Sequence, residues 1–306
     1  MNLFLTLLLK LTPLYFIIGC GFILARIYPL NPETLARVLI YISAPIVVFN
    51  GMYKAHLSTA TLALPLLFFI VGTIICYLFY QLAKPIWRGA EKNLIAFTSG
   101  TANSGYFGLP VAIGIFGDSI IPYAVLISLG TVFYENTFGL FILGKGKFSS
   151  KDSIKHLLKL PNLYACALGL GANLLQLHFG DNYNMFVTNI QGSFVVLGML
   201  LIGLSIPKFS AIEFDGKFTL LAFGAKFFAW PLFIWLSIKL INMLLPNFYP
   251  TVTQQAFLVL SLVPLATNTV VYSAVLHLHP QKAALTVFLS TLWALLYIPL
   301  MLQFLL

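Results

Sequence analysis

Ten apolar runs fill almost the whole sequence, at 11–28, 35–53, 61–83, 93–116, 120–143, 160–179, 186–206, 218–244, 254–278 and 282–304. A helix needs ~20 apolar residues to cross a bilayer, and every run is long enough for one. None shows the ten-residue alternation of a membrane β-barrel. The pieces between them are short and carry turn chemistry, as in Pro29-Leu30-Asn31-Pro32-Glu33, Gly180-Asp181-Asn182 and Pro246-Asn247-Phe248-Tyr249-Pro250. With 8% charged residues in a chain of 306, a water-facing surface could not be solvated. The expectation is an all-α polytopic membrane protein of ten helices, with no room for a soluble domain.

The charge of +9 reflects topology rather than nucleic-acid binding, because the basic residues sit between apolar runs and form no basic stripe. Thirteen lie in the loops after runs 1, 3, 5, 7 and 9: Arg26, Arg37, Lys84, Arg88, Lys92, Lys145, Lys147, Lys151, Lys155, Lys159, Lys208, Lys217 and Lys282. Lys10, Lys54 and Lys239 lie on the other side, and Lys226 falls inside run 8. Positive residues stay cytoplasmic, so both termini are expected on the periplasmic or extracellular face of a bacterial inner membrane. Cys20, Cys76 and Cys166 lie apart within apolar runs and read as small buried residues, neither disulfides nor metal ligands. The first run is read as a span rather than a cleaved signal.

Five runs precede the basic loop at 144–159 and five follow it. An odd count inverts the second half relative to the first, as in the inverted repeats of secondary transporters. The halves are 1–159 and 160–306, and their corresponding runs share a defect. Run 4 is interrupted at Ser99-Gly100-Thr101-Ala102-Asn103-Ser104-Gly105-Tyr106-Phe107-Gly108-Leu109-Pro110, and run 9 at Pro264-Leu265-Ala266-Thr267-Asn268-Thr269. A helix break frees backbone groups that lipid cannot satisfy, so it persists only where protein or a wet cavity supplies partners. Two such breaks crossing at the midplane would aim positive half-helix N-termini at one spot, an anion site built largely of backbone. Asn103, Ser104, Gly105, Pro110, Pro264, Thr267 and Asn268 are the candidate binding residues. The bland alternative is that Gly and Pro merely kink two packed helices.

The stretch Asn103 to Pro110 followed by Phe116-Gly117 resembles the fourth-helix crossover of the auxin efflux carrier family, which includes bacterial malonate and malate permeases and plant carriers. Pro264 to His279-Pro280 resembles its ninth-helix crossover, Ala44-Pro45-Ile46-Val47-Val48-Phe49 its second helix, and Lys226 with Pro231 its eighth. Where the plant carriers have a second proline in the ninth-helix crossover, this chain has Thr269. The resemblance implies a fold like that of the bile acid/sodium symporters, with crossed broken helices 4 and 9. It implies a scaffold of helices 1, 2, 6 and 7, a moving transport domain of helices 3–5 and 8–10, an elevator mechanism and organic-anion cargo. It also implies a homodimer through helices 2 and 7, where Ile40, Ile46, Val47, Val195, Val196 and Leu200 offer apolar faces.

Two charges inside runs need separate weighing. Glu135, within Tyr134-Glu135-Asn136-Thr137, is a candidate for ion coupling together with Asn136, because intramembrane acids are functional by default. The alternative is a paired structural carboxylate. Lys226 could attract the anion, pair with Glu135, or snorkel its amine to the cytoplasmic interface. His277 and His279 end run 9 without the partners of a metal site. No HExxH, GxSxG or phosphate-cradling GxxxxGK[ST] occurs, so neither an enzyme nor an ATP-driven pump is expected. The expectation is a carrier of a small organic carboxylate that needs no cofactor, coupled to H+ or, ranked lower, Na+, or working as an uncoupled facilitator. A sodium-coupled anion symporter and an anion channel are the alternatives.

Overall fold

The computed structural model describes residues 3–55, 58–144, 161–204, 206 and 214–305. Lys145, Lys147, Lys151, Lys155, Lys159 and Lys208 lie outside the described residues, as do the side chains of Lys10 and Ile40.

The regular structure among the described residues is helical. Helix α1 covers Leu3–Ile27; α2 (Pro32–Val38) and α3 (Ala44–Tyr53) form one rod, and α4 (Thr59–Leu62) and α5 (Leu64–Ala83) another. Next come α6 (Glu91–Gly100), α7 (Leu109–Phe116), α8 (Ile121–Asn136) and α9 (Phe138–Leu143). After the loop lie α10 (Pro161–Leu174), α11 (Asp181–Leu204), α12 (Gly216–Gly224), α13 (Trp230–Leu244), α14 (Thr251–Leu262), α15 (Asn268–Val275) and α16 (Pro280–Leu305). Six rods among the described residues are long and apolar enough to cross a membrane: Thr34–Tyr53, Thr59–Ala83, Asp118–Leu143, Asp181–Leu204, Gly216–Leu244 and Pro280–Leu305.

Three rods contain a wide turn closed by an i→i+5 bond: Ala44 N to Leu39 O, Leu109 N to Ser104 O, and Trp230 N to Ala225 O. Each wide turn ends two residues before a proline, at Pro45, Pro110 and Pro231. Proline has no N–H to donate, and its ring collides with the carbonyl four residues back. Widening the preceding turn moves that carbonyl away and keeps the rod continuous.

The sixth apolar run stops earlier than its hydropathy suggests. Helix α10 ends at Leu174 because Gln176 adopts φ 51°, with Gln176 N bonded to Asn173 O at 3.0 Å and Leu177 N to Ala172 O at 3.0 Å. This is the Schellman closure of a helix end, here without a glycine. His277 does the same at the end of α15, at φ 56°, with Leu278 N on Ser273 O at 2.8 Å.

Glycine brings several pairs of helices into backbone contact, among them α1 with α11 and α3 with α10. A Cβ at Gly21 on α1 would land on the carbonyl oxygen of Leu200 on α11, and one at Gly203 on that of Ile18. Likewise a Cβ at Gly169 on α10 would strike the carbonyl of Phe49 on α3. Asn173 reinforces the second pair, its amide donating to Tyr53 O at 2.6 Å and Ala55 O at 2.9 Å at the open end of α3. The apolar faces expected on helices 2 and 7 are only partly outward. Val196 is exposed, but Val47 is buried, and the exposed large apolar residues of the second rod are Val38, Tyr41 and Ile42.

Loop residues gather at two ends. Lys282 Nζ lies 2.9 Å from Asp215 Oδ2 and His279 Nε2 lies 3.4 Å from Glu91 Oε1, joining the starts of α6, α12 and α16. At the start of α11, Lys54 Nζ donates to Asn184 Oδ1 at 3.3 Å.

Candidate functional site

The site grows from the two breaks. Helix α6 stops at Gly100, residues 101–103 are non-helical, and the chain resumes as a wide turn leading into α7. Helix α14 stops at Leu262, and α15 starts at Asn268. The breaks meet: Asn103 N donates to Pro264 O at 2.9 Å, joining two backbones that are 161 positions apart. Side chains bind the crossing further. Asn103 Nδ2 donates to Thr267 Oγ1 at 3.2 Å. Thr101 Oγ1 donates to Thr98 O at 2.8 Å, accepts from Ala266 N at 3.4 Å and lies 3.4 Å from Thr269 Oγ1. The freed backbone groups thus find protein partners, as a break away from water requires.

Neighbouring helices complete the support. Ser104 Oγ donates to Thr131 Oγ1 on α8 at 3.3 Å, and Leu265 N donates to Ser290 Oγ on α16 at 3.2 Å. The break in run 4 is therefore held from α8 and that in run 9 from α16, the fifth and tenth runs. Trp230 Nε1 on α13 reaches Ser99 O at 2.9 Å.

A cavity of about 290 Å³ opens beside the crossing, lined by Asn103, Ser104, Gly105, Thr267 and Asn268 together with Glu135 and Asn136. Glu135 is 2% exposed, and its Oε2 accepts from Asn268 Nδ2 at 2.7 Å. Next to it, Tyr272 OH donates to Asn136 Oδ1 at 2.8 Å. A second cavity of about 1120 Å³, on the side of α1 and α2, also reaches Tyr106, Thr267 and Asn268 and has Arg37 in its lining.

The structure thus gathers seven of the sequence-derived residues around one cavity. Pro110 and Pro264 are not in its lining. Pro110 sits in the first turn of α7, while Pro264 gives its carbonyl to Asn103. Lys226 stands apart. It is fully buried within the wide turn of the eighth run, with its amine 4.5 Å from the Trp230 ring centroid and no hydrogen-bond partner for Nζ. It neither pairs with Glu135 nor snorkels outward, and it does not line the cavity.

Sequence reasoning missed the Thr101–Thr269 contact, Thr131, Ser290, Tyr272 and the kink at Thr137, where φ −123° and ψ −98° separate α8 from α9 just past Glu135. Hydroxyls recurring at bilayer depth in runs 5 and 10 were the available signal.

No family model matches the chain. It is similar to an uncharacterized transporter of Methanocaldococcus jannaschii, 28% identical over 286 residues that make up 88% of each chain. It is also similar to an uncharacterized transporter of Methanothermobacter thermautotrophicus, 28% identical over 194 residues, or 61% of this chain and 63% of that relative.

Proposed function

We propose that this protein is a secondary carrier that moves a small organic carboxylate across the cytoplasmic membrane, the inner membrane in bacteria. The observation that carries this reading is the Asn103–Pro264 backbone bond, which joins two broken helices beside a cavity lined with neutral donors. The half-helix beginning at Asn268 directs its N-terminus toward that cavity, and such a terminus favours an anion. The transporter names of both relatives support the same reading.

In this reading the ten apolar runs are ten spans in two inverted halves. The matched supports of the crossing favour it, because Thr131 serves one break as Ser290 serves the other. So do the loop contacts, in which loops 3, 7 and 9 meet one another while loop 2 meets the start of α11 after loop 6. Helices 1, 2, 6 and 7 form the scaffold and the others the domain that moves, in an elevator fashion. Both termini face away from the cytoplasm, and two copies pair through helices 2 and 7. Glu135 and Asn136 carry the coupling ion, a proton ahead of sodium.

The test is a thermal-shift screen of the purified protein against mono- and dicarboxylates, with and without sodium, followed by uptake into liposomes. Carboxylate stabilisation with saturable, counter-transport-stimulated uptake is expected. Single-channel currents would instead mark a channel, and sodium-dependent stabilisation a sodium symporter.

A further inference from the structure

The smaller cavity presents a charge problem to the cargo proposed for it. Glu135 is the only ionisable acid in its lining among the described residues, and no Lys, Arg or His lines it. Arg37 belongs to the larger cavity, and Lys226 to a separate buried environment against Trp230. The titratable groups facing Glu135 are phenols: Tyr106 from the wide turn after the first break, Tyr134 on its own helix and Tyr272 from α15. Phenols stay neutral through the physiological range. A carboxylate entering while Glu135 is ionised would therefore meet a like charge that no cation in the described lining of this cavity offsets.

The donor inventory sharpens the conflict. Asn268 Nδ2 spends one of its two N–H bonds on Glu135 Oε2 at 2.7 Å, and Asn103 Nδ2 one of its two on Thr267 at 3.2 Å, which leaves each amide a single N–H for the cargo. Asn268 stands at the start of α15, where an anion would seek a donor. Glu135 is thus an internal competitor, its carboxylate taking one N–H of the Asn268 amide and fixing the direction of the other. Protonation of Glu135 removes the repulsion and turns a charge-assisted hydrogen bond into a weaker neutral one, so the amide can turn to the cargo.

Building on the carboxylate reading above, we infer that the cavity accepts a singly charged carboxylate only together with one proton, which goes onto Glu135 and loosens its hold on Asn268. The proton comes from solution and forms one O–H bond on the Glu135 carboxyl, and no other bond changes. Cargo and proton enter as a neutral pair. A dicarboxylate would bring a second negative charge with no cation in the described lining to match it, so the site discriminates against it. Asn268 acts as the positioning residue that links the two occupants.

The experiment is equilibrium binding of acetate, benzoate and malonate to the purified protein from mildly acidic to mildly alkaline pH, with a pH indicator in weakly buffered solution reading proton uptake. Acetate or benzoate should bind about tenfold more weakly for each pH unit of rise once Glu135 is ionised, with one proton taken up per anion. Malonate should bind at least tenfold more weakly than the better monocarboxylate. In Glu135→Gln, which keeps a side-chain acceptor for Asn268, monocarboxylate binding should lose its pH dependence and its proton uptake. Binding in the unaltered protein that ignores pH and takes up no proton overturns the inference and leaves the carboxylate reading standing, as does preferred binding of malonate. If none of the three binds at any pH, both fall together.

Discussion

The indole nitrogen of Trp230 donates to the carbonyl of Ser99 across 2.9 Å, deep in the interior, where neither residue is exposed. Ser99 is next to last in α6, so its carbonyl has lost the i+4 partner that a continuous helix would supply. Trp230→Phe keeps a ring and removes the donor. An unsatisfied buried acceptor costs about 1–3 kcal/mol, so the thermal midpoint of the purified variant should fall by several degrees. An unchanged midpoint would show that the break needs no side-chain partner.

Asn103 gives its backbone to the crossing, and its side-chain amide both donates to Thr267 and lines the cavity. Asn103→Ala retains the bond to Pro264 O and loses only the amide. A hydrogen bond to a charged group contributes ~1.5–3 kcal/mol, so carboxylate affinity should drop roughly tenfold or more in a variant that still purifies as a folded protein. Titration of wild type and variant with the same carboxylate checks it, and equal affinities would remove Asn103 from the site.

Lys226 is a buried amine whose described contact is the face of Trp230. A charge taken out of water without a counter-charge is costly, and an apolar residue of similar shape is often more stable there. Lys226→Met should raise the thermal midpoint. A higher midpoint accompanied by lost uptake would mean that the amine is retained for transport at the expense of stability. A lower midpoint would mean that the indole contact outweighs desolvation.

At the cluster of helix starts, burial pushes the Asp215 carboxyl up. The hydrogen bond from Phe218 N and the contact with the Lys282 ammonium outweigh it and hold the carboxyl below the usual carboxylate range. A carboxyl depressed by folding stabilises the protein above its unfolded value, near 4, and loses that contribution as pH falls through the folded value. Asp215→Asn keeps a good helix cap but leaves Lys282 without its partner. It should cost about 1 kcal/mol at neutral pH, and the gap from wild type should close in acid. Thermal midpoints of both proteins across pH check the sign.

Much of this architecture can be read from residue types. The breaks at Ser99–Pro110 and Pro264–Thr269 stand out because Gly, Pro and hydroxyl residues are costly inside an apolar run, and the structure joins them at Asn103 and Pro264. Glu135 is legible as the lone acid of its run. Its partner Asn268 is not, because the bond spans 133 positions and depends on how two helices are rotated. The same holds for Lys226. Sequence shows a cation in an apolar run, but the wide turn before Pro231 decides where its amine points. The end of α10 was missed because Gln176 adopts a conformation more typical of glycine.

The glycine contacts also determine which seams of the molecule can slip. At Gly21 against Leu200, Gly203 against Ile18 and Gly169 against Phe49, main chain rests on main chain with no side chain between. Such seams have no rotamers to exchange and no interdigitated surface to re-register, so each helix pair behaves as one welded beam. Between the helices of α1 and α2 and the crossing lies instead the open space of the larger cavity, where side chains rather than main chain face one another and a displacement would break no backbone contact of this kind.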